Sequence, residues 1–359
     1  MLSIRSGRFA ALISAMALAA AACSPGASPA ASSAPSTAAS SAPSAGGSPA
    51  TADLDVVFIP KQINNPYFDA AATGAEKAAG ELGGTFEQVG PSAATEPQIP
   101  YIQDATTQGR SAIAISVNDP NAVVPALTAA RDAGIKVVGY DSSPAVGAYD
   151  VFVNQVDFSG VGVLLADWAC ELAPSCTGEI AVLSAAATAA NQNEWIALME
   201  TTLKEPKYAG LTLVETVYGD DDPNISTTQA NALLTNHPDL KVIVAPTTVG
   251  ILAAAQVVKQ AEKSDAVKVT GLGFPNDMRA YVKDGTSPVF GLWSVPDLGY
   301  LTYHIAAKLV SGEITGAEGE TFTVPGLNED KPYTIGKDSV VILGPAFRFD
   351  TTNIDQFDF

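Results

Sequence analysis

The 359-residue chain is poor in the residues that bind metals and nucleic acids. It has three cysteines and two histidines, and neither histidine lies at metal-ligand spacing from a cysteine. Its 19 lysines and arginines are outnumbered by 38 aspartates and glutamates, which gives a formal net charge of −19. Without a basic stripe to neutralise phosphates, the sequence argues against nucleic acid as a partner. No metal site and no cofactor are predicted, and the acidity favours solubility without identifying a ligand.

Motifs that build common catalytic sites are also missing. The sequence has no Gly-x-Ser-x-Gly elbow, no phosphate-binding loop and no histidine near a candidate nucleophile. Only scattered aspartates and serines would support an enzyme. Catalysis is therefore not predicted, and turnover of a bound compound would be the observation that supports an enzyme.

Long apolar runs are absent, and the uncharged run near the N-terminus, residues 10–22, is too short to span a bilayer. It follows Arg5 and Arg8, an arrangement typical of an export signal. Small residues then precede Cys23, as in a bacterial lipobox, although the match is imperfect. We expect residues 1–23 to be a lipoprotein signal peptide with Cys23 as the lipidated residue. The alternative is an ordinary cleaved signal followed by a free cysteine.

A tract of low complexity follows the signal. Residues 24–52 are almost entirely Ser, Ala, Pro, Gly and Thr, and they carry too little apolar surface to offset the entropy of ordering them. We predict a disordered tether between a membrane anchor and a folded part. Residues 53–359 are long for one hydrophobic core and sufficient for two lobes.

Two cysteines remain after the anchor, Cys170 and Cys176, between a helical stretch and a strand. In an exported protein such a pair favours one local disulfide. The alternative is two unpaired thiols, of which a buried one would act as a small apolar group.

Short runs rich in Val and Ile alternate with helix-like stretches from residue 55 onwards. Ten predicted strands lie between residues 55 and 292, and nine predicted helices fill the gaps and continue to residue 311. Such alternation with apolar strands is typical of parallel sheets covered by helices on both faces. We predict an α/β fold with two doubly wound parallel-sheet lobes.

Polar and aromatic side chains follow the carboxyl ends of these strands, where doubly wound sheets bind their ligands. Carboxylates and amides make directional hydrogen bonds to hydroxyl groups, and aromatic faces cover the apolar face of a sugar ring. Seven such strand ends predict a site for a small neutral polyol. The candidate ligand residues are Lys61, Asn65, Phe68, Asp141, Asn191, Gln192, Pro246, Thr248, Phe274 and Trp293.

The candidates also have purely structural interpretations. Lys61 can form an ion pair with Asp141, and Asp141 can serve as a helix cap or turn residue. The polar candidates in the second half of the chain can cap helices. Aromatic candidates can belong to the core, which is where we place Tyr67 and Trp195.

Several segments have a sequence that is specific to one family. They are FIPKQINNPYFDA (58–70), AIAISVNDPNAVVPAL (112–127), VVGYDSS (137–143), NQNEW (191–195), VAPTTVGILAAAQ (244–256), GLGFPNDMRAYVKDGT (271–286), GLW (291–293) and TNIDQFDF (352–359). With these segments the chain resembles the type I periplasmic sugar-binding proteins of bacterial ABC importers, in the branch that binds rhamnose or autoinducer-2. The resemblance covers essentially all of residues 53–359.

The resemblance implies roles for individual positions. The ligand contacts of the autoinducer-2 members are matched by Lys61, Asp141, Gln192 and Pro246. Asn191 stands where those members have Asp, and Thr248 where they have Ala, so both departures count against autoinducer-2. The segments around them look like the rhamnose-binding members, which favours rhamnose or a related deoxyhexose or polyol.

The resemblance also implies an architecture and partners. We expect three crossovers between the lobes, with residues 53–150 and 275–292 in the first lobe and residues 151–274 and 293–359 in the second. The chain would deliver a small neutral sugar to the membrane permease of an ABC importer, outside the cytoplasm and held at the membrane by its lipid anchor. The alternatives are an autoinducer-2-binding protein and a sugar-sensing receptor subunit. A transcription regulator of this fold would need a basic DNA-binding head, and a signal and tether stand in its place.

Overall fold

The computed structural model describes residues 54–359, except for the side chains of residues 158 and 159. The predicted signal, the lipidation at Cys23 and the tether lie outside these residues. Within the described part, no helix is long and apolar enough to cross a membrane.

Strands and helices alternate over most of this part, as predicted. The strands are β1 (Asp55–Ile59), β2 (Thr85–Gln88), β3 (Ala112–Ile115), β4 (Lys136–Tyr140), β5 (Val151–Asn154), β6 (Gly178–Ser184), β7 (Leu211–Tyr218), β8 (Leu240–Ala245), β9 (Lys268–Gly271), β10 (Val289–Leu292), β11 (Thr321–Phe322), β12 (Tyr333–Thr334), β13 (Val340–Ile342) and β14 (Phe347–Asp350). The helices are α1 (Pro66–Leu82), α2 (Ile99–Gln108), α3 (Val124–Asp132), α4 (Phe158–Leu172), α5 (Ala190–Thr202), α6 (Pro223–Asn236), α7 (Thr248–Gln260), α8 (Pro275–Lys283) and α9 (Val295–Ser311).

Two parallel sheets organise the fold. The first has six strands in the order β13-β5-β4-β3-β1-β2, and the second has four in the order β7-β6-β8-β9. A parallel bridge between Leu272 and Gly291 places β10 beside β9, and β14 pairs antiparallel with β10. We call the six-stranded sheet with its helices the first lobe, and the four-stranded sheet with β10 and β14 the second lobe. The chain crosses between them after β5, after β10 and after β13, which confirms the α/β class and the three crossovers.

The sheet pairing corrects the predicted lobe boundaries. The first lobe does not end at residue 150, because β5 pairs with β4 and β13. Residues 275–292 do not return to the first lobe, since β10 lies beside β9, whereas α9 packs against α1, β3 and β4. The boundary at 150 is wrong because residues 141–150 form a loop, and a parallel connection ordinarily carries a helix.

Two glycines allow the backbones of α1 and α9 to touch. A Cβ on Gly74 would lie 1.8 Å from the carbonyl oxygen of Pro296, and one on Gly299 would lie 1.8 Å from that of Ala71. These distances are far shorter than any van der Waals contact, so only glycine permits the crossing. The contact holds the start of α1 next to the crossover that precedes α9.

The predicted disulfide is present. Cys170, near the end of α4, is bonded to Cys176, just before β6. The bond therefore lies near the amino end of β6, at the opposite end of the strand from the edge where parallel sheets bind ligands.

Replacing both cysteines by serine should lower the free energy of unfolding by about 2 kcal/mol, because a crosslink with a sequence separation of 6 restricts the unfolded chain. Ligand affinity should stay unchanged. Urea unfolding and ligand titration of the Cys170→Ser, Cys176→Ser variant would check both statements. A variant with normal stability and weakened binding would contradict them.

Candidate functional site: a cleft between the two lobes

A cavity lies between the carboxyl ends of the two sheets. Nine of the ten predicted ligand residues line it: Lys61, Asn65, Phe68, Asp141, Asn191, Gln192, Pro246, Thr248 and Trp293. The other lining residues are Tyr67, Trp195, Asp221, Thr247, Leu272 and Leu292.

An ion pair forms the first-lobe side of the cavity. The ammonium of Lys61, which follows β1, lies 3.5 Å from Oδ2 of Asp141, which follows β4, and each side chain is less than 10% exposed. Asp141 Oδ2 also accepts a hydrogen bond of 2.7 Å from Ser116, and Oδ1 accepts one of 3.2 Å from Gln155. These contacts supply hydrogen bonds to a carboxylate that would otherwise be costly to bury.

Gln98 holds the ends of β1 and β3 in place. Its side-chain amide donates to the carbonyl oxygens of Pro60, at 2.9 Å, and Ser116, at 2.8 Å. Its oxygen accepts from the backbone N–H of Asn118, whose own amide donates to the carbonyl oxygen of Lys61 at 2.8 Å. The backbone that carries the lysine is therefore fixed by hydrogen bonds.

Asn191 connects the lobes across the cavity. It lies in the first turn of α5, and its Oδ1 accepts a hydrogen bond of 3.0 Å from Lys61 Nζ. Its Nδ2 donates to Asp141 Oδ1 at 3.3 Å. An amide can accept from the lysine and donate to the carboxylate at once, whereas an ionised Asp would be an acceptor only. The neighbouring Gln192 accepts a hydrogen bond of 3.2 Å from the backbone N–H of Ala185.

Aromatic side chains form another wall. Trp293 lies on the crossover between β10 and α9, and its Nε1 donates to the hydroxyl of Tyr67 at 2.9 Å. The Trp293 ring is 5.8 Å from that of Trp195 in the second lobe, and the Tyr67 ring is 5.2 Å from that of Phe68. Burial and the charge of Asp141 raise the pKa of Tyr67 well above its usual value, so its phenol stays protonated.

Helix starts supply further polar groups. Asn65 caps α1 by accepting a hydrogen bond of 2.9 Å from the backbone N–H of Tyr67, so it is both a cap and a lining residue. Pro246, Thr247 and Thr248 lead from β8 into α7, whose N-terminal end borders the cavity. This arrangement presents backbone N–H groups to a ligand.

Phe274 is the predicted ligand residue that the cavity does not include. It directly precedes α8 and is buried in the hydrophobic core. A strand end whose neighbouring residues are polar can still direct its aromatic side chain into the core.

Residues missed from the sequence also border the cavity. Tyr67 and Trp195 were assigned to the core, and they are buried as expected but line the cavity as well. Asp221 is not among the predicted residues, although the acidic run at 220–222 begins two residues after the end of β7 and the same strand-end rule selects it.

Comparisons with known proteins agree with this geometry. The family model for the periplasmic binding protein domain matches residues 56–314. The crystal structure of an ABC transporter solute-binding protein from Clostridium phytofermentans with bound L-rhamnose is 40% identical and has a TM-score of 0.80, covering 84% of this chain and 97% of that one. A sugar ABC transporter from Actinomyces odontolyticus is 43% identical with a TM-score of 0.69, covering 87% and 100%.

A further solved relative is LsrB from Clostridium saccharobutylicum, in complex with AI-2. It is 26% identical with a TM-score of 0.77, and the match covers 85% of this chain and 99% of that one. The fold, the cleft and these matches together show that the chain belongs to the periplasmic binding protein domain family and, within it, to the type I solute-binding proteins of bacterial ABC importers.

Proposed function

We propose that the chain is the extracytoplasmic component of an ABC sugar importer and that it binds L-rhamnose or a related deoxyhexose or polyol. The observation that carries the proposal is the buried group of Lys61, Asp141 and Asn191, set beside aromatic rings in a cleft between two lobes. The 40% identity to a protein with bound L-rhamnose supports the choice of sugar.

The chemistry of the cavity suits a neutral sugar. Lysine and amide groups donate to hydroxyl oxygens, and the carboxylates accept from hydroxyl groups. The rings of Trp293 and Phe68 offer apolar surface to the C–H groups of a sugar ring or to the methyl group of a deoxyhexose. Among the lining groups no histidine or cysteine stands beside a nucleophile, so binding without catalysis is the simpler function.

Binding is coupled to closure in this proposal. Lys61 and Asp141 belong to the first lobe, and Asn191, Gln192 and Thr248 belong to the second. A ligand that touches both groups binds the closed form more tightly than the open form and shifts the population towards closure. The closed form is the state that would be presented to the permease.

Autoinducer-2 is the second candidate ligand, because the relative that holds AI-2 has the same fold at 26% identity. Position 191 argues against it. An Asp there, as in the autoinducer-2 members, would replace the amide whose Nδ2 donates to Asp141 at 3.3 Å and would bring two carboxylates together. Asn191 avoids this repulsion and suits a different ligand.

The N-terminal part of the sequence supports a location at the membrane. A lipid on Cys23 and the tether at 24–52 would hold the lobes near the membrane that contains the permease. The same anchor would also serve a receptor subunit, which is the alternative role for the same binding site.

Calorimetric titration of the purified protein with L-rhamnose, L-fucose, D-ribose, D-xylose and autoinducer-2 tests the ligand. We expect a deoxyhexose to bind most tightly, because both faces of the cavity combine polar groups with aromatic rings. Tight autoinducer-2 binding without sugar binding would replace the proposal by its alternative. Binding of none of these compounds would refute both.

A further inference from the structure

Asp221 brings a second carboxylate into the cavity, from the second lobe. It lies just after β7, and its Oδ1 accepts a hydrogen bond from the hydroxyl of Thr247. Its backbone carbonyl accepts a hydrogen bond of 3.3 Å from the amide of Gln62, which belongs to the first lobe. Among the described residues, no donor contacts its second carboxylate oxygen. That oxygen is therefore available to a ligand.

The backbone presents Asp221 in the same way as Asp141. Both residues lie in the left-handed region, with φ of 51° for Asp221 and 58° for Asp141, and both closely follow a strand of a parallel sheet. Asp is one of the few residues other than glycine that adopts this conformation readily. Each lobe thus turns one carboxylate towards the cleft.

The charges in the cavity do not balance. Lys61 is the only lysine or arginine among the lining residues, and it already contacts Asp141 and Asn191. Asp141 and Asp221 carry two negative charges against this one positive charge. Burial raises the pKa of Asp221, as do the charges of Asp141 and Asp220, while the hydrogen bond from Thr247 and the charge of Lys61 lower it. An anionic ligand would meet an uncompensated carboxylate.

We propose that Asp221 contacts the ligand and selects for uncharged polyhydroxy compounds: its second oxygen accepts a hydrogen bond from a ligand hydroxyl, and its charge excludes sugar acids. This inference rests on the proposed function, since it defines the ligand class of the same cavity. It adds a second carboxylate contact, from the lobe opposite Asp141.

The test compares Asp221→Asn with Asp220→Asn. Asn keeps the shape, tolerates the left-handed backbone and still accepts from Thr247, so the variant removes the charge and replaces the second oxygen by an amide donor. Asp220 is the matched control, because it adjoins Asp221, has a similar φ of 52° and does not line the cavity. The probes are the tightest-binding neutral sugar of the panel above and the aldonate made by oxidising that sugar.

We expect Asp221→Asn to weaken binding of the neutral sugar by roughly tenfold and to strengthen binding of the aldonate relative to it, whereas Asp220→Asn changes neither. In the wild type, affinity for the neutral sugar should fall as the pH is lowered through the raised pKa of Asp221, because protonation removes the acceptor charge. The Asp221→Asn variant should lack this part of the pH dependence.

Unchanged sugar affinity and selectivity in Asp221→Asn, or equal losses in both variants, would overturn the inference while leaving the proposed function intact. If the wild type binds none of the neutral sugars, the proposed function fails, and this inference fails with it. Thermal unfolding of both variants distinguishes a lost contact from a misfolded segment.

Discussion

Asp141→Asn should weaken sugar binding by roughly a hundredfold, or about 2.7 kcal/mol. Asp141 is 4% exposed, and its carboxylate is held by Ser116, Gln155 and Asn191 beside Lys61. An Asn amide would turn a donor group towards at least one of these donors, and it would no longer give a ligand hydroxyl a charged acceptor. Asn is preferred to Ala in this test because it tolerates the φ of 58°.

The same substitution should also reduce stability, because it leaves Lys61 buried without its ion-pair partner. Breaking a buried ion pair by removing one partner typically costs roughly 3–5 kcal/mol. The Lys61→Gln, Asp141→Asn double variant separates the two effects. It should regain most of the lost stability, since both members of the Lys61–Asp141 ion pair are removed together, but it should not regain sugar affinity.

Calorimetric titration and urea unfolding of the single and double variants measure both quantities. Wild-type affinity in Asp141→Asn, with only a loss of stability, would mean that Asp141 is a structural residue. Full affinity in the double variant would mean that the ligand does not use the ion pair.

Local patterns were sufficient to predict the α/β fold. Buried strands such as β3, whose sequence AIAI is buried throughout, read as short apolar runs, and helices such as α8 begin at proline and end before a break in the pattern. These features are determined by residues that are close to one another in the sequence. The fold class could therefore be predicted without knowledge of which strands pair.

Strand order and lobe membership could not be predicted in this way. β5 joins the first lobe although no helix separates it from β4, and β10 joins the second lobe through a bridge to β9. Such pairings are made between distant segments and leave no periodic signal. β11 and β12 were missed because strands of two residues are too short to show alternation.

The residues of the candidate site likewise divide into those that the sequence predicts and those that it does not. Lys61 and Asp141 were predicted because they lie directly at strand ends, where position alone implies proximity to the cleft. Asp221 was missed because an acidic run at a strand end also resembles a helix cap, and Asp222 does cap α6. The sequence does not mark the start of α5, since Ala189 makes no side-chain cap and the polar Asn191 and Gln192 lie inside the helix.

Acid should destabilise the protein through His304. This residue lies on α9 and is 4% exposed, its ring is 4.5 Å from that of Tyr300, and its Nε2 has no hydrogen-bond partner among the described residues. Burial and the nearby Lys308 and Lys77 lower the pKa of His304 from 6.5 to about 4, against smaller opposing effects of neighbouring glutamates. The folded protein therefore holds a neutral imidazole at pH values where an unfolded chain would be protonated.

The sign of the effect follows from linkage. Because the pKa is lower in the folded state, the contribution of His304 is fully favourable above pH 6.5 and is lost as the pH falls towards 4. Between about pH 7.5 and about pH 5 this loss amounts to about 2 kcal/mol. His304→Phe keeps an aromatic ring against Tyr300 and removes the titration, so its free energy of unfolding should vary less with pH by that amount.

Urea unfolding of wild type and His304→Phe at several pH values measures the difference between their free energies of unfolding. The contributions of carboxylates common to both proteins cancel in this difference. His304→Leu serves as a second variant if the larger ring does not fit between α1 and α9. The chain has only one other histidine, His237, so the same series in His237→Gln separates the two contributions. If both His304 variants keep the wild-type pH slope, the imidazole is protonated in the folded protein and its environment is more polar than the packing of α9 against α1 implies.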